Sequence, residues 1–344
     1  MDGGKDPRLI AYSPVELGTP LELVDGLTVP NALFFLRSYG AVPTLDPDAW
    51  RLSVTGLVDR EIELTLADLK ALPQRTMTAF LECSGDSRGR FRPPAQGAQW
   101  GNTAVGNAEW GGVSLSAVLD LAGVRPGAVD VVSQGADVVP QGADRAPMRR
   151  GLPVEVARAP DTMLVWRMNG EPLPVPHGGP VRLLVPGWGG IASTKWLVGL
   201  EVIDHAFAGY FNTEVYVVVT EDGTPVRPVR EMPVKSVITT PAAGETVATG
   251  RRTVAGYAWS GYGAVATVEV SLDGGATWAD AAITLDGGRR SWVRFEHPWD
   301  AEPGPAALRS RATDERGLRQ PEVATWNARG YQMNAIHEVP VIVR

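Results

Sequence analysis

Cys83 is the only cysteine in the 344 residues, and it stands in Leu81-Glu82-Cys83-Ser84-Gly85-Asp86-Ser87-Arg88-Gly89-Arg90-Phe91-Arg92. Cations near a thiol favour the thiolate, which is both a nucleophile and a soft-metal ligand. Arg88, Arg90 and Arg92 offer guanidinium forks that hold an oxyanion through paired hydrogen bonds. Gly85 and Gly89 let the backbone turn sharply between them. These residue types fit a thiolate ligand or nucleophile beside an anion pocket. A buried structural cysteine under a solvated basic loop is the plainer alternative. A lone cysteine excludes an internal disulfide, a cysteine-rich zinc site, an iron–sulfur cluster and a c-type haem attachment.

A cysteine nucleophile needs a base, and the four histidines, His177, His205, His297 and His337, are scattered. Their spacing makes no metal-ligand pair, so any Cys–His pairing is left to the fold. The chain has no P-loop and no strand-linked G-x-G-x-x-G. Gly187-Trp188-Gly189-Gly190 follows an apolar run, Val181 to Val185, with His177, Arg182 and Lys195 nearby. That combination fits a loop that binds an anionic cofactor. Arg145, Arg149 and Arg150 read as a basic loop, either solvated or able to dock an electron acceptor.

The elements that must position these residues are mostly strands. Thr65-Leu66-Ala67-Asp68 has capping-box spacing before a short helix closed by Pro73, and Ser114 to Ala122 reads as a second helix stopped by Gly123. Met163 to Met168 runs into Asn169-Gly170, a hairpin signal. Past about Glu231 short strand candidates recur between turns: Thr253–Trp259, Ala266–Leu272, Trp278–Ile283, Ser291–Phe295, Ala307–Thr313 and Glu322–Trp326. Asp273-Gly274-Gly275 and Asp286-Gly287-Gly288 are the turns, and Trp259, Trp278, Trp292, Trp299 and Trp326 read as sandwich core. The fold class is α+β and strand-rich, with residues 1–230 as a catalytic domain and 231–344 as an immunoglobulin-like β-sandwich. The length suits two domains, and the formal charge of −7 argues against a general nucleic-acid or membrane-surface binder. The start lacks a basic region followed by an apolar run, so the chain as given reads as cytoplasmic, or periplasmic if a leader was removed.

Cys83-Ser84-Gly85-Asp86-Ser87-Arg88 resembles the cysteine loop of the sulfite oxidase family, usually C-A-G-N-R-R. Phe34-Phe35-Leu36-Arg37-Ser38-Tyr39-Gly40-Ala41-Val42-Pro43 is similar to that family's F-x-x-R-N-H-x-x-V-P. Gln99-Trp100 with Glu109-Trp110-Gly111-Gly112-Val113 follows in family order. So do Met168 to Pro174, His177-Gly178, Pro180-Val181-Arg182, Val185-Pro186-Gly187 and Lys195-Trp196-Leu197. Glu231 to Ile238 and Trp326 to Asn334 are similar to the two ends of the family's C-terminal dimerisation sandwich. The resemblance spans about residues 28–343.

The resemblance implies a molybdenum–molybdopterin cofactor, no haem, and oxidation of sulfite to sulfate by oxygen-atom transfer, with two electrons passed to an external acceptor such as a cytochrome c. It puts Cys83 on the metal, and Arg37, Arg88 and Trp100 around the substrate. Tyr216 stands near the metal, with Tyr210 as second choice. Tyr39, His177, Arg182, Ser193 and Lys195 fall on the pterin. A homodimer, no nucleic acid and no membrane insertion complete the expectation. Relatives leave open a sulfane-sulfur compound, methionine sulfoxide or nitrate as substrate, and a non-catalytic binding module is the reading from another class. Three departures stand out: Tyr39 replaces a histidine, Ser87 replaces a cation and Asp86 adds a carboxylate, and the last two together make a less positive pocket expected to hold a dianion more weakly.

Overall fold

The computed structural model describes residues 4–344. Alternation of buried and exposed positions builds much of it into mainly antiparallel sheet. The first half contains a five-stranded sheet in the order Ile62–Thr65, Arg51–Gly56, Leu197–Ile203, Asp130–Gln141 and Asp144–Pro153. One pair in it, Arg51–Gly56 with Leu197–Ile203, is parallel. A second sheet orders Glu171–Pro172, Met163–Met168, Val105–Ser114 and Gln74–Glu82, with Arg182–Leu184 also paired to Met163–Met168. Both sheets carry the site: the second delivers Cys83 from the end of Gln74–Glu82, and the first delivers Asp137.

Both helices read from the sequence form. Thr65 caps Leu66–Ala71 with the reciprocal Asp68 contacts of a capping box. Leu115–Ala122 ends at Gly123 with φ 72°, a left-handed conformation that a β-carbon disfavours. Its Leu115, Val118, Leu119 and Ala122 bury one face against Leu52, Val131 and Leu200 of the first sheet.

The C-terminal region is a two-sheet sandwich. One sheet orders Lys235–Thr240, Gly250–Trp259, Val293–Ala301 and Ala282–Asp286. The other orders Thr246–Val247, His337–Val343, Gly304–Asp314, Val265–Ser271 and Ala279–Asp280. Between them lie Val254, Phe295, Leu308 and Val341. His337–Val343, unread in the sequence, buries Val339, Val341 and Val343 while Glu338, Pro340 and Ile342 face out. Glu322–Trp326 is not a strand: Ala324 and Trp326 turn away and pack on Phe91 and Ala95 behind the cysteine loop. Of the five tryptophans assigned to the sandwich core, only Trp299 lies there. Trp259 and Trp292 join Phe80 and Trp110 in a cluster between the sandwich and the second sheet, and Trp278 and Trp326 are half-buried. The supposed basic loop is also corrected. Arg145, Arg149 and Arg150 lie on the strand Asp144–Pro153, and Arg150 is buried.

Candidate active site

The cysteine loop is held from every side. Cys83 N donates to Ala104 O at 2.8 Å, Asp86 N to Cys83 O at 2.8 Å, and Ser87 N to Gly101 O at 2.8 Å. Ser87 itself takes φ 62°, so the chain reverses there without glycine. From the far end of the sequence, Gln332 N donates to Ser84 O at 2.9 Å. Asp86 does not enter the anion pocket: its carboxylate accepts from the amides of Thr103 and Ala104 and pairs with Lys235, all away from the cavity. The weakening of dianion binding expected of Asp86 therefore has no basis in its position. Cys83 is half-buried. Burial pushes its thiol up, and the opposing Arg37 and Arg88 charges only moderate this, so the cations alone do not make it a thiolate.

Two cavities meet at Cys83. The inner one is lined by Phe34, Ser38, Ser84, Asp137, His177, Arg182, Ser193 and Lys195, and the outer by Glu16, Arg88, Trp100, Arg329 and Tyr331. Arg37, Tyr39, Cys83 and Tyr216 line both and form the wall between them.

The inner cavity concentrates positive charge with little to balance it. Arg182 donates only to the carbonyls of His177, Ser193 and Leu183. Lys195 Nζ donates to Ser38 Oγ and Pro176 O, and Lys5 Nζ to Asn31 O and Phe34 O while lying 2.7 Å from His177 Nε2. Burial lowers Lys5 to about 7 and Arg182 to about 9, and drives Lys195 and His177 well down, each of the last two pushed further by neighbouring cations. Asp137 is the one carboxylate in the lining and offsets Lys195 only in part, and buried cations in excess of carboxylates are costly unless an anion joins them. Two buried atoms, Ser84 Oγ and Asp137 Oδ1, lack any hydrogen-bond partner. A ligand with a phosphate and a hydrogen-bonding heterocycle fits both features, and a molybdopterin has both. Ser193 Oγ accepts from Val185 N, so it braces the loop as well as lining the cavity. In the glycine loop, Gly189 N is used by Arg230 O, and it is Gly190 and Ile191 that line the cavity.

The outer cavity, about 280 Å³, is the more open of the two and is taken as the mouth of the site. Arg88 is buried and donates from Nε to Arg329 O at 3.0 Å and from Nη1 to Ala98 O at 3.2 Å. Arg329 donates to Val215 O at 3.1 Å. Trp100 is fully buried behind the rim, against Tyr12. Tyr216 hydrogen-bonds Tyr39, oxygen to oxygen at 2.7 Å, and stacks on Tyr331 with centroids 5.3 Å apart. Burial raises Tyr216 well above its ordinary value and raises Tyr39 too, so both keep their protons at neutral pH. Tyr210, the second choice, lines neither cavity.

Arg37, Tyr39, Cys83, Arg88, Trp100, His177, Arg182, Ser193, Lys195 and Tyr216 each line one of the two cavities or both. Sequence reasoning missed Lys5, Glu16, Asp137, Arg329 and Tyr331. Arg329 sat inside a quoted block but was read as dimerisation sandwich. Among the described residues no cluster of three or more histidine, cysteine or acidic side chains could hold a metal by itself, and no helix is long and apolar enough to cross a membrane. A metal at Cys83 therefore needs most of its ligands from elsewhere, as a dithiolene-bearing cofactor provides.

Residues 39–211 match the oxidoreductase molybdopterin binding domain, and residues 226–344 match the Mo-co oxidoreductase dimerisation domain. Human mitochondrial sulfite oxidase is 35% identical over 98% of the chain and 66% of its own length; the chain thus spans just under two thirds of that relative. Sulfite oxidase of Arabidopsis thaliana is 32% identical over 92% of the chain and 88% of its own length. Among solved structures, the sulfane dehydrogenase SoxCD from Paracoccus pantotrophus superposes with a TM-score of 0.85 at 33% identity, over 97% of this chain and 86% of that one.

Proposed function

Because the chain belongs to the sulfite oxidase family of molybdopterin-binding oxidoreductases, we propose that it oxidises sulfite to sulfate and passes two electrons to a separate acceptor protein. The observation that carries the reading is the wall of Arg37, Tyr39, Cys83 and Tyr216 between a cation-rich inner cavity and an arginine-lined mouth. A molybdenum cofactor bound there supplies a two-electron redox centre able to exchange an oxygen atom with water.

The chain's own residues do the rest. Cys83 ligates the metal, and coordination offsets the burial that otherwise keeps the thiol protonated. Lys5, His177, Arg182 and Lys195 hold the phosphate, while Ser84 and Asp137 take up the heterocycle's hydrogen bonds. Arg88 and Arg329 orient the oxyanion, since their bonds to carbonyls fix both guanidiniums and leave further N–H groups free. Tyr216, kept neutral, donates a hydrogen bond at the wall. Trp100 and Tyr331 shape the mouth and keep water out of its sides. Residues 1–230 carry most of the catalytic site, and 231–344 add Arg329 and Tyr331 to its mouth and form the sandwich through which two copies pair in a homodimer, with a cytochrome c as the class of acceptor.

A second reading, a sulfane-sulfur donor as substrate, is favoured by the likeness to the sulfane dehydrogenase. An anaerobic optical titration of cofactor-loaded protein with sulfite tests the main one. A thiolate-to-metal charge-transfer band that bleaches with one equivalent supports it. A band that persists under sulfite but bleaches with thiosulfate transfers the proposal to sulfane sulfur, and absence of any band in metal-replete protein removes Cys83 from the metal.

A further inference from the structure

Four charged side chains line the mouth: Arg37, Arg88, Arg329 and Glu16. Among the described residues, only Arg37 has a carboxylate partner. Glu16 Oε1 lies 3.0 Å from Arg37 Nε, with the two side chains 16% and 24% exposed. We propose that Glu16 is a specificity determinant of this site, a built-in counter-ion on Arg37 that favours monoanionic sulfur oxyacids over dianions. The inference rests on the reading that the mouth admits a sulfur oxyanion, and it assigns the charge class that enters.

The pair is set by the backbone. Glu16 and Arg37 stand directly opposite each other where Glu16–Gly18 pairs with Leu36–Arg37, so neither side chain has to search for the other. Arg37 is confined from its other sides: Nη1 donates to Ser38 O, and the Tyr39 ring lies under the guanidinium, 4.0 Å from its centroid to Cζ. An anion arriving at the mouth finds Arg37 already engaged. Among the described residues, Arg88 and Arg329 are bonded to carbonyl oxygens only, and neither is within ion-pair distance of a carboxylate.

Three positive charges and one negative charge leave the mouth two positive, and the two unbalanced ones are Arg88 and Arg329. A monoanion is served by these two without disturbing the Glu16–Arg37 pair. A dianion brings a second charge that draws on Arg37. It then faces the Glu16 carboxylate across a small, partly dehydrated space where like charges interact more strongly than in water. Glu16→Gln removes this repulsion and keeps an acceptor oxygen for Arg37 Nε. Glu16→Asp keeps the charge.

The test is calorimetric titration of cofactor-loaded wild-type, Glu16→Gln and Glu16→Asp protein with sulfate, a dianion, and with nitrate, a monoanion, at one pH. Glu16→Gln should bind sulfate about tenfold more tightly than wild type and nitrate within about twofold, while Glu16→Asp stays near wild type. KM for sulfite should fall in the glutamine variant with kcat little changed. Equal sulfate affinities in wild type and Glu16→Gln, or no measurable sulfate binding by either, would overturn the assignment. Weaker binding of both anions would also overturn it, because a purely structural role predicts that outcome. The heats do not depend on turnover: if sulfite is not oxidised yet sulfate binding strengthens, the substrate reading fails and the role of Glu16 stands.

Discussion

Asp86 and Lys235 lie 149 residues apart in sequence and 2.5 Å apart in space, with side chains 0% and 1% exposed. Lys235 Nζ also lies 3.3 Å from Glu82 Oε1 and donates to Ser87 Oγ, and Trp259 Nε1 donates to Glu82 Oε2. Glu82, Asp86 and Ser87 bracket Cys83, so the first strand of the sandwich and its neighbour grip the cysteine loop from behind. Removing one partner of a buried ion cluster leaves an uncompensated charge, which costs far more than the intact cluster contributes.

Lys235→Met should therefore destabilise the protein by about 3–5 kcal/mol. Denaturant unfolding checks this. Asp86→Asn added to Lys235→Met should recover part of the loss, because one of the stranded carboxylates is then neutral; a double variant no better than the single would count against a charge-based account.

Arg88 is enclosed by glycines. A β-carbon on Gly85 would lie 2.4 Å from Arg88 Nη2, one on Gly97 2.5 Å from Nη1, and one on Gly330 2.6 Å from Cγ. Gly330 also has φ 60°, which side chains rarely adopt. Gly330→Ala should raise KM for an anionic donor at least about tenfold with a smaller change in kcat, because it displaces a guanidinium that binds rather than reacts. Steady-state kinetics at fixed acceptor concentration give the split.

Cys83→Ser should keep the pterin and lose the charge-transfer band together with turnover. The anchors proposed for the cofactor, Lys5, His177, Arg182 and Lys195, belong to the inner cavity beyond the wall. Pterin fluorescence after denaturation measures the cofactor retained, and loss of both pterin and band would show that the thiolate is itself an anchor.

Protein without cofactor should become more stable as pH rises from about 7 toward 10. Lys5 falls from 10.5 in the open chain to about 7 when folded, and burial lowers Lys195 in the same direction. Through that window the unfolded chain binds more protons than the folded one, so unfolding free energy rises with pH. Below it Glu82, raised to about 7 by burial, and His337, lowered to about 4, act with opposite signs. Cofactor-loaded protein should show a flatter profile because the bound anion compensates the lysine charges. Thermal unfolding with and without cofactor across pH 7–10 compares the two.

Much of the site was legible in the sequence because its parts lie in short blocks: the loop at Cys83, the stretch around Arg37 to Tyr39, and the segment from His177 to Lys195. Each block carries its own chemistry. Glu16, Asp137 and Tyr331 escaped because nothing local distinguishes an acid or an aromatic that only the fold brings to Cys83. Lys5 reaches His177 across 172 residues, a closeness no spacing reveals. Most of the central sandwich strands were legible from turns and alternation, but His337–Val343 was missed and Glu322–Trp326 was read as a strand it does not form. Trp259 and Trp292 were misplaced because a buried aromatic looks the same whichever neighbour covers it. Arg149 and Arg150 were misread because strands that bury arginine break the usual pattern.

The dependence of the cysteine loop on Lys235, and of the mouth on Arg329, limits how this molecule can be taken apart or recombined. A recombinant fragment ending near residue 230 would uncover Phe80 where Trp259 packs on it and leave Glu82 and Asp86 without their cation, so it should be aggregation-prone and could not serve as a minimal catalyst. A chimera that borrows its sandwich from a relative inherits the same demand. The donor module must bring a lysine and an arginine to these two places, or the graft will fold around an active centre that cannot be assembled.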